Sequence, residues 1–443
     1  MRQRDIFWFW LPLFASWLLM TAEGPIISAA INRLPNQVIM LAAQGIVISL
    51  SVTIESPIIN LLATSTALVK DHASYRLVRR FTIHWMIFLT IITVLVAFTP
   101  LFDLIVRQWL GVPDPVAVWV QPGMQIMTLW SAAIAWRRFL QGLLIRFNRP
   151  RQMAWGTAVR LLASGGTVIG LAVWTDLPGV INGATALMVG VIAEAMYATA
   201  AVQPILREEL SVDRPPVSDL TYSTLFWFHL PLAATSLLVL LAQPLVTFSL
   251  ARLDQPTESL AAWPVLFQIM LMARAAALAL PEAVIALSRG AQTFAPIRRF
   301  SLYLAAGLTL FMAIFIFTPL SNFYVFTVQE MTPVTGMLTI SGLLLFLPFP
   351  ALATISSWLR GLLINEQATK AVNMGMAINL VLTAVVLAIG LQQRLPGLPT
   401  AAVALNIAAF GEIIYLTWRT QRTLPTGQSL WGRSQLTVCP AGD

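Results

Sequence analysis

Apolar residues run along this chain in long blocks, not in the alternation of a strand or the single stripe of a water-facing helix. Apolar blocks of about 20 residues or more predict helices that cross a membrane. Twelve are predicted, at 6–31, 38–68, 81–106, 117–145, 152–174, 180–204, 223–251, 259–287, 300–327, 334–363, 367–392 and 398–418. Several are longer than a crossing needs, so tilt, kinks or extension past the bilayer are expected. The blocks recur over the whole length, which a secretory signal alone does not explain.

Polar interruptions divide the chain. The stretch 205–222 gathers Arg207, Glu208, Glu209, Asp213, Arg214, Pro215, Pro216 and Asp219, the charge and proline content of a linker. Beyond about 423 the residues are polar, with Gly and Pro and no convincing period. The expected organisation is an N-terminal six-helix lobe over 1–204, a cytoplasmic linker over 205–222, a C-terminal six-helix lobe over 223–422 and a cytoplasmic tail over 423–443.

The two lobes are copies. Phe7-Trp8-Phe9 and Leu11-Pro12-Leu13 recur as Phe226-Trp227-Phe228 and Leu230-Pro231-Leu232, a shift of 219 residues. The same shift pairs Pro25 with Pro244, Arg33-Leu34 with Arg252-Leu253, and Phe98-Thr99-Pro100-Leu101 with Phe317-Thr318-Pro319-Leu320. After one deletion the shift is 218, and Glu194 meets Glu412. Apolar composition gives chance Leu and Ala matches, but not matched Pro, Arg, Trp and Glu in one register. Each copy has six spans, an even number, so both enter the membrane the same way. Repeats of this kind are related by an axis along the membrane normal, with a substrate path between them. Matched prolines in spans 1 and 7 predict kinks at equivalent places, because proline removes a backbone donor. The predicted class is an all-α membrane protein, with twelve transmembrane helices in two parallel six-helix lobes.

Composition agrees with that reading. Hydrophobic residues make up 58% and charged residues 10% of the chain, where a soluble protein carries about 25% charge. The net charge of +8 would suggest nucleic acid in a soluble protein. Here the basic residues cluster in one set of loops, with Arg360 counted among them. Only Arg33, Arg107, Arg252 and Arg394 fall in the opposite set. The positive-inside rule then puts both termini in the cytoplasm, against an anionic leaflet, and a bacterial inner membrane is the expected location. The single cysteine, Cys439, excludes intrachain disulfides and cysteine-based metal clusters.

Pro231, Pro244 thirteen residues on, and Arg252 eight further, with Gly45, Ser49-Leu50 and Pro57 in span 2, carry a resemblance. The chain resembles the superfamily of multidrug and toxic-compound extrusion proteins, polysaccharide-lipid flippases and lipid II flippases. Within it the chain looks most like the progressive ankylosis protein branch. The resemblance covers about 6–420. It implies a two-lobed, twelve-helix, alternating-access transporter without an ATPase of its own. The branch implies export of small anions such as pyrophosphate, ATP or citrate.

Ionisable groups inside spans are costly and mark function by default. Glu55 and Arg274 occupy equivalent positions with opposite charge. They are expected to pair across the gap between lobes, where a substrate anion competes with Glu55 for Arg274; a static ion pair is the alternative. Arg160 lies too deep to snorkel, and its planar fork suits a carboxylate or phosphate; the rival partner is Glu194. Arg137 and Arg138 lie nearer the cytoplasmic end, and Arg137 is the better candidate for the substrate. Glu194 and Glu412, one per lobe, are candidates for carrying a coupling proton, or for fixing helix packing. Glu23 precedes Gly24-Pro25 at an expected break and has Ala242 as its counterpart, which suits a proton or sodium site or a bond to the broken turn. His229 replaces Trp10 of the first copy and is read as an interfacial hydrogen bond.

No Gly-rich phosphate loop followed by Lys and Ser or Thr is present, no zinc spacing among three histidines, and no Gly-x-Ser-x-Gly elbow. These gaps argue against an enzyme or a primary pump, and no cofactor, metal or nucleic acid partner is expected. The leading expectation is a secondary transporter of a small organic or phosphate-type anion, with lipids as its surroundings. The alternatives are a lipid-linked oligosaccharide flippase or cation-coupled multidrug antiporter of the same fold, and a non-transporting scaffold or receptor.

Overall fold

A computed structural model describes residues 2–149, 151–210, 220–288, 291–366 and 368–423. Half of the expected linker, 211–219, and nearly all of the expected tail lie outside the described residues. Among the described residues the regular structure is helical, apart from one isolated bridge between Asp254 and Pro396. Among the described residues nine helices are long and apolar enough to cross a membrane, and two bent pairs, at 256–287 and 333–365, bring the crossings to 11.

The remaining crossing is 114–146, predicted at 117–145. Gln121, Gln125, Arg137, Arg138 and Gln141 interrupt its apolar run. It is built of two α-helices, Asp114–Ile126 and Trp130–Arg146, joined by a short 3-10 turn. Its Arg137 and Gln141 are buried against protein, so their polarity never meets lipid. The architecture is the twelve-helix, two-lobed one expected. The outer surfaces of the bundle carry the apolar side chains that lipid would cover, with Leu162 77%, Val173 70% and Trp174 85% exposed.

The third crossing differs from its expected bounds of 81–106. It starts at His72, where Asp71 caps the N–H of Ser74 at 2.8 Å, and stops at Phe98, just before Thr99-Pro100. Proline cannot continue the helix and disfavours helical geometry in the residue before it. The chain then forms a π-helix, Asp103–Trp109. The ninth crossing repeats this design, with Ala291–Phe317, then Pro319, then the π-helix Phe323–Val328.

Spans 1 and 7 break at matched positions, as their prolines predict. Gln3–Thr21 meets Glu23–Ile31 at Ala22, and Tyr222–Leu240 meets Ala242–Leu250 at Leu241. The face where span 1 begins is called proximal here and the opposite face distal. The distal halves of both spans pack in their own lobes. The proximal halves pack mainly on the other lobe: Gln3–Thr21 on 256–317, and Tyr222–Leu240 on the region around Ser56–Ile58. The lobes also meet distally, where Gln37–Glu55 lies along Pro256–Ala273. There a Cβ added at Gly45 would sit 2.5 Å from the Pro264 ring, so only glycine allows the approach.

Candidate functional site

Charged side chains from five spans converge inside the N-terminal lobe. Glu23 stands at the break of span 1, where the helix restarts. Arg160 of span 5 grips it, donating through Nε at 3.0 Å to both carboxylate oxygens and through Nη2 at 2.6 Å. Arg160 also lies 3.7 Å from Glu194 and 5.6 Å from the centre of the Trp130 ring. Glu194 of span 6, 1% exposed, takes 2.6 Å and 3.0 Å hydrogen bonds from Arg137 and Gln141, one helical turn apart on span 4. Forked donors on shared carboxylates make this chain of contacts strong and directional.

Two charges of this lobe stay outside the chain. Glu55, where span 2 passes into a 3-10 turn, keeps Oε2 buried and without a partner; Nε of Arg138 is likewise buried and unpartnered. The lobe's acids, Glu23, Glu55 and Glu194, equal its bases, Arg137, Arg138 and Arg160, so the cluster is neutral as a whole.

The C-terminal lobe keeps one member of this cluster and exchanges the rest. Glu412 matches Glu194. It accepts from Arg360, which replaces Gln141, through Nε at 2.7 Å and through Nη2, and from Asn379, which replaces Arg160, at 2.9 Å. Arg360 therefore belongs to this cluster and not with the loop arginines: it lies on the helix Phe349–Asn365, the second half of span 10, which packs against span 12. Arg274 sits at the 53° bend of span 8, 5.9 Å from the centre of the Phe349 ring, which replaces Trp130. Its Nε is buried and unpartnered, and it has no ion pair among the described residues. Two guanidiniums face one carboxylate here, so this lobe carries a surplus positive charge.

The expected Glu55–Arg274 pair does not form. Each acts within its own lobe, Glu55 beside the arginines of span 4 and Arg274 beside Arg360 and Glu412. Both stand two residues before a contact between lobes. His229 Nε2 lies 2.9 Å from the Pro57 carbonyl, and Trp10 Nε1 donates to the Ala276 carbonyl at 3.0 Å. Donors and acceptors are both 219 positions apart, so His229 and Trp10 make one bond twice. Thr64 completes the histidine's surroundings, 2.9 Å from Nδ1. The repeat register marks Asn379 as the counterpart of Arg160; Gln141, Trp130 and Phe349 gave no signal of their own, and only the contacts around Glu194 and Arg274 bring them in.

Distally, Ser28 lies 2.9 Å from Gln268 and 3.0 Å from Gln329, both of the other lobe, and Gln329 donates to the Pro25 carbonyl. The lobes thus touch on both faces, with the charged clusters between the two sets of contacts.

No family model and no curated protein matches the sequence. Solved structures do match the fold. An inward-facing multidrug resistance MATE family transporter of the MOP superfamily aligns at TM-score 0.67 and 14% identity, over 92% of this chain and 95% of that one. The lipid II flippase MurJ in an inward closed conformation aligns at 0.69 and 13%, over 93% and 87%. A MOP superfamily transporter from Pyrococcus furiosus, described by a reversed polarity of its binding pocket, aligns at 0.63 and 15%, over 95% and 96%. An outward-facing multidrug resistance MATE family transporter of the same superfamily aligns at 0.62 and 15%, over 96% and 97%. The chain has the fold of this superfamily and is a multi-pass integral membrane protein.

Proposed function

We propose that this chain is an alternating-access secondary transporter of a small organic or phosphate-type anion, of the citrate, pyrophosphate or nucleotide class. The fold supports the first half of that reading: two lobes that touch on both faces around buried charges can part on one side at a time. The observation that carries the second half is Arg274, a guanidinium at the bend of span 8 with no ion pair among the described residues, in the lobe with surplus positive charge. A buried, unpaired cation is costly, and an anion removes that cost.

Arg138 is the second proposed contact, with Glu55 beside it. Arg160 and Arg137 are engaged by Glu23 and Glu194, so their part in binding is to hold the frame. The coupling role proposed for Glu23, Glu194 and Glu412 takes a definite form: a proton or sodium ion on any one of them would release its arginine. Both termini are proposed to be cytoplasmic, in a bacterial inner membrane, and no catalytic step is assigned. Placement in the progressive ankylosis protein branch is part of the same proposal and rests on Pro231, Pro244 and Arg252.

One observation favours a second reading. A narrow crevice between spans 1 and 5, lined by Leu19, Met20, Thr157 and Leu161, leads to the Glu23–Arg160 pair. Its apolar lining suits the tail of a lipid-linked oligosaccharide or an amphiphilic drug once the two spans part.

A thermal-shift screen separates the readings, since a ligand raises the melting temperature according to its occupancy. Citrate, ATP and pyrophosphate are expected to raise it, while lipid-linked sugars and cationic dyes leave it unchanged. A response confined to the sugars or dyes overturns the anion reading.

A further inference from the structure

On the distal face two arginines make the same reach in opposite directions. Arg252, just beyond span 7, crosses to the N-terminal lobe. It donates to the backbone carbonyls of Gln108 at 3.1 Å, of Trp109 at 2.5 Å, and of Leu110. Its guanidinium also lies 3.8 Å from the centre of the Phe248 ring. Arg33, its copy in the first lobe, crosses to the C-terminal lobe. It donates to the Val328 carbonyl at 3.1 Å and pairs with Glu330 at 3.1 Å.

The carbonyls gripped in this way close the two π-helices, Asp103–Trp109 and Phe323–Val328. The end of a helix leaves carbonyls without donors of its own and gathers partial negative charge. A planar guanidinium suits several such oxygens at once. Each lobe thus offers a helix end, and each receives the other lobe's arginine.

The seats differ at one matched position. Gly111 and Glu330 are equivalent in the repeat, and both have positive φ, 68° and 47°. A Cβ added at Gly111 would lie 2.8 Å from Cζ of Arg252, so the bare glycine makes room for the guanidinium on the carbonyls. Glu330 fills the same turn with a carboxylate. The Arg33–Glu330 pair is 44% and 50% exposed, and such pairs contribute little and are screened by salt.

We propose that Arg252 and Arg33 form a reciprocal clasp that holds the distal side shut, with Arg252 its stronger half and Gly111 its seat. The clasp rests on the alternating-access reading but not on the identity of the substrate. It sets how often the distal side opens.

The test reads lobe separation directly. Val118 and Met337 are repeat-matched, 56% and 62% exposed, and close to the distal ends of spans 4 and 10. Spin labels on V118C and M337C, in the full chain with Cys439→Ser, report the distance between lobes. The unaltered clasp is expected to give one short distance. Arg252→Ala should raise the ratio of long to short distances about tenfold or more. Gly111→Ala, which keeps the arginine, should act in the same direction. Arg33→Ala should raise the ratio roughly threefold or less, and high salt should mimic it. Unchanged distances in both Arg252→Ala and Gly111→Ala overturn the clasp. A protein that opens as expected yet moves none of the anions tested overturns the anion reading and upholds the clasp.

Discussion

Trp10 and His229 are chemically different residues that do one job. Each sends a ring nitrogen to a backbone carbonyl of the opposite lobe, Ala276 for Trp10 and Pro57 for His229. Replacing either by Phe keeps an aromatic ring and removes the nitrogen. The Ala276 carbonyl is buried and that of Pro57 partly so, and an unpaired buried acceptor costs about 1–3 kcal/mol. Trp10→Phe and His229→Phe are therefore expected to loosen the proximal contact, seen as a lower melting temperature and faster labelling of a cysteine placed on the proximal half of span 1. Unchanged labelling in both variants would show that other contacts hold this side.

The Glu194–Arg137 bond makes a prediction about stability. Glu194→Gln leaves a buried guanidinium without its closest counter-charge, a loss of roughly 3–5 kcal/mol. Replacing both residues by Met removes the uncompensated charge and should recover much of it. Thermal melts of the two singles and the double decide the matter. A double variant no more stable than the worse single would mean that Arg160 and Gln141 dominate the network.

Arg274 and Arg160 should separate transport from folding. Arg274→Ala removes a cation with no ion pair and is expected to abolish anion uptake by proteoliposomes with little loss of melting temperature. Arg160→Ala strips Glu23 of three hydrogen bonds, so its melting temperature should fall. Uptake that survives Arg274→Ala would remove the anion assignment.

Helix packing gives a prediction free of charge. A Cβ at Gly142 would collide with Ser65 and the Leu62 carbonyl, whereas one at Gly166 would meet nothing within 4 Å. Gly142→Ala is expected to lower stability by about 1–3 kcal/mol through overpacking. Gly166→Ala should leave it unchanged or improve it through helix propensity. Equal melting temperatures for the two variants would contradict the close contact of spans 2 and 4.

Much of the fold could be read from the chain because lipid imposes a simple rule, and the repeat supplied the rest. The 219-residue register located the breaks of spans 1 and 7 through Pro12, Pro25, Pro231 and Pro244. It also singled out Glu23, Glu55 and Arg274 as unmatched, though not Gln141 or Trp130, which the two clusters exchange as well. It did not reveal partners. Glu55 and Arg274 looked like a pair because they are equivalent, yet equivalence places residues on opposite lobes at positions that need not meet. Glu23 and Arg160 meet because the break in span 1 turns Glu23 towards span 5, a rotation no periodicity reports. Arg360 looked like a loop cation because it lies near the end of its apolar block, yet the helix Phe349–Asn365 carries it against span 12 and Glu412. The π-helices gave no signal at all, since segments of 7 and 6 residues are too short for a change of helical period to show in the apolar pattern.

The crossing over of spans 1 and 7 has a consequence for descent. Each begins against the other lobe and ends in its own. A single lobe standing alone would leave the proximal half of its first helix without its main packing surface. An ancestor one lobe long would have been a parallel homodimer whose subunits exchanged first helices. Duplication and joining turned that exchange into a bond within one chain and left the two copies free to diverge. The surviving asymmetries, histidine for tryptophan and arginine for glutamate, are changes that a homodimer would have had to make twice.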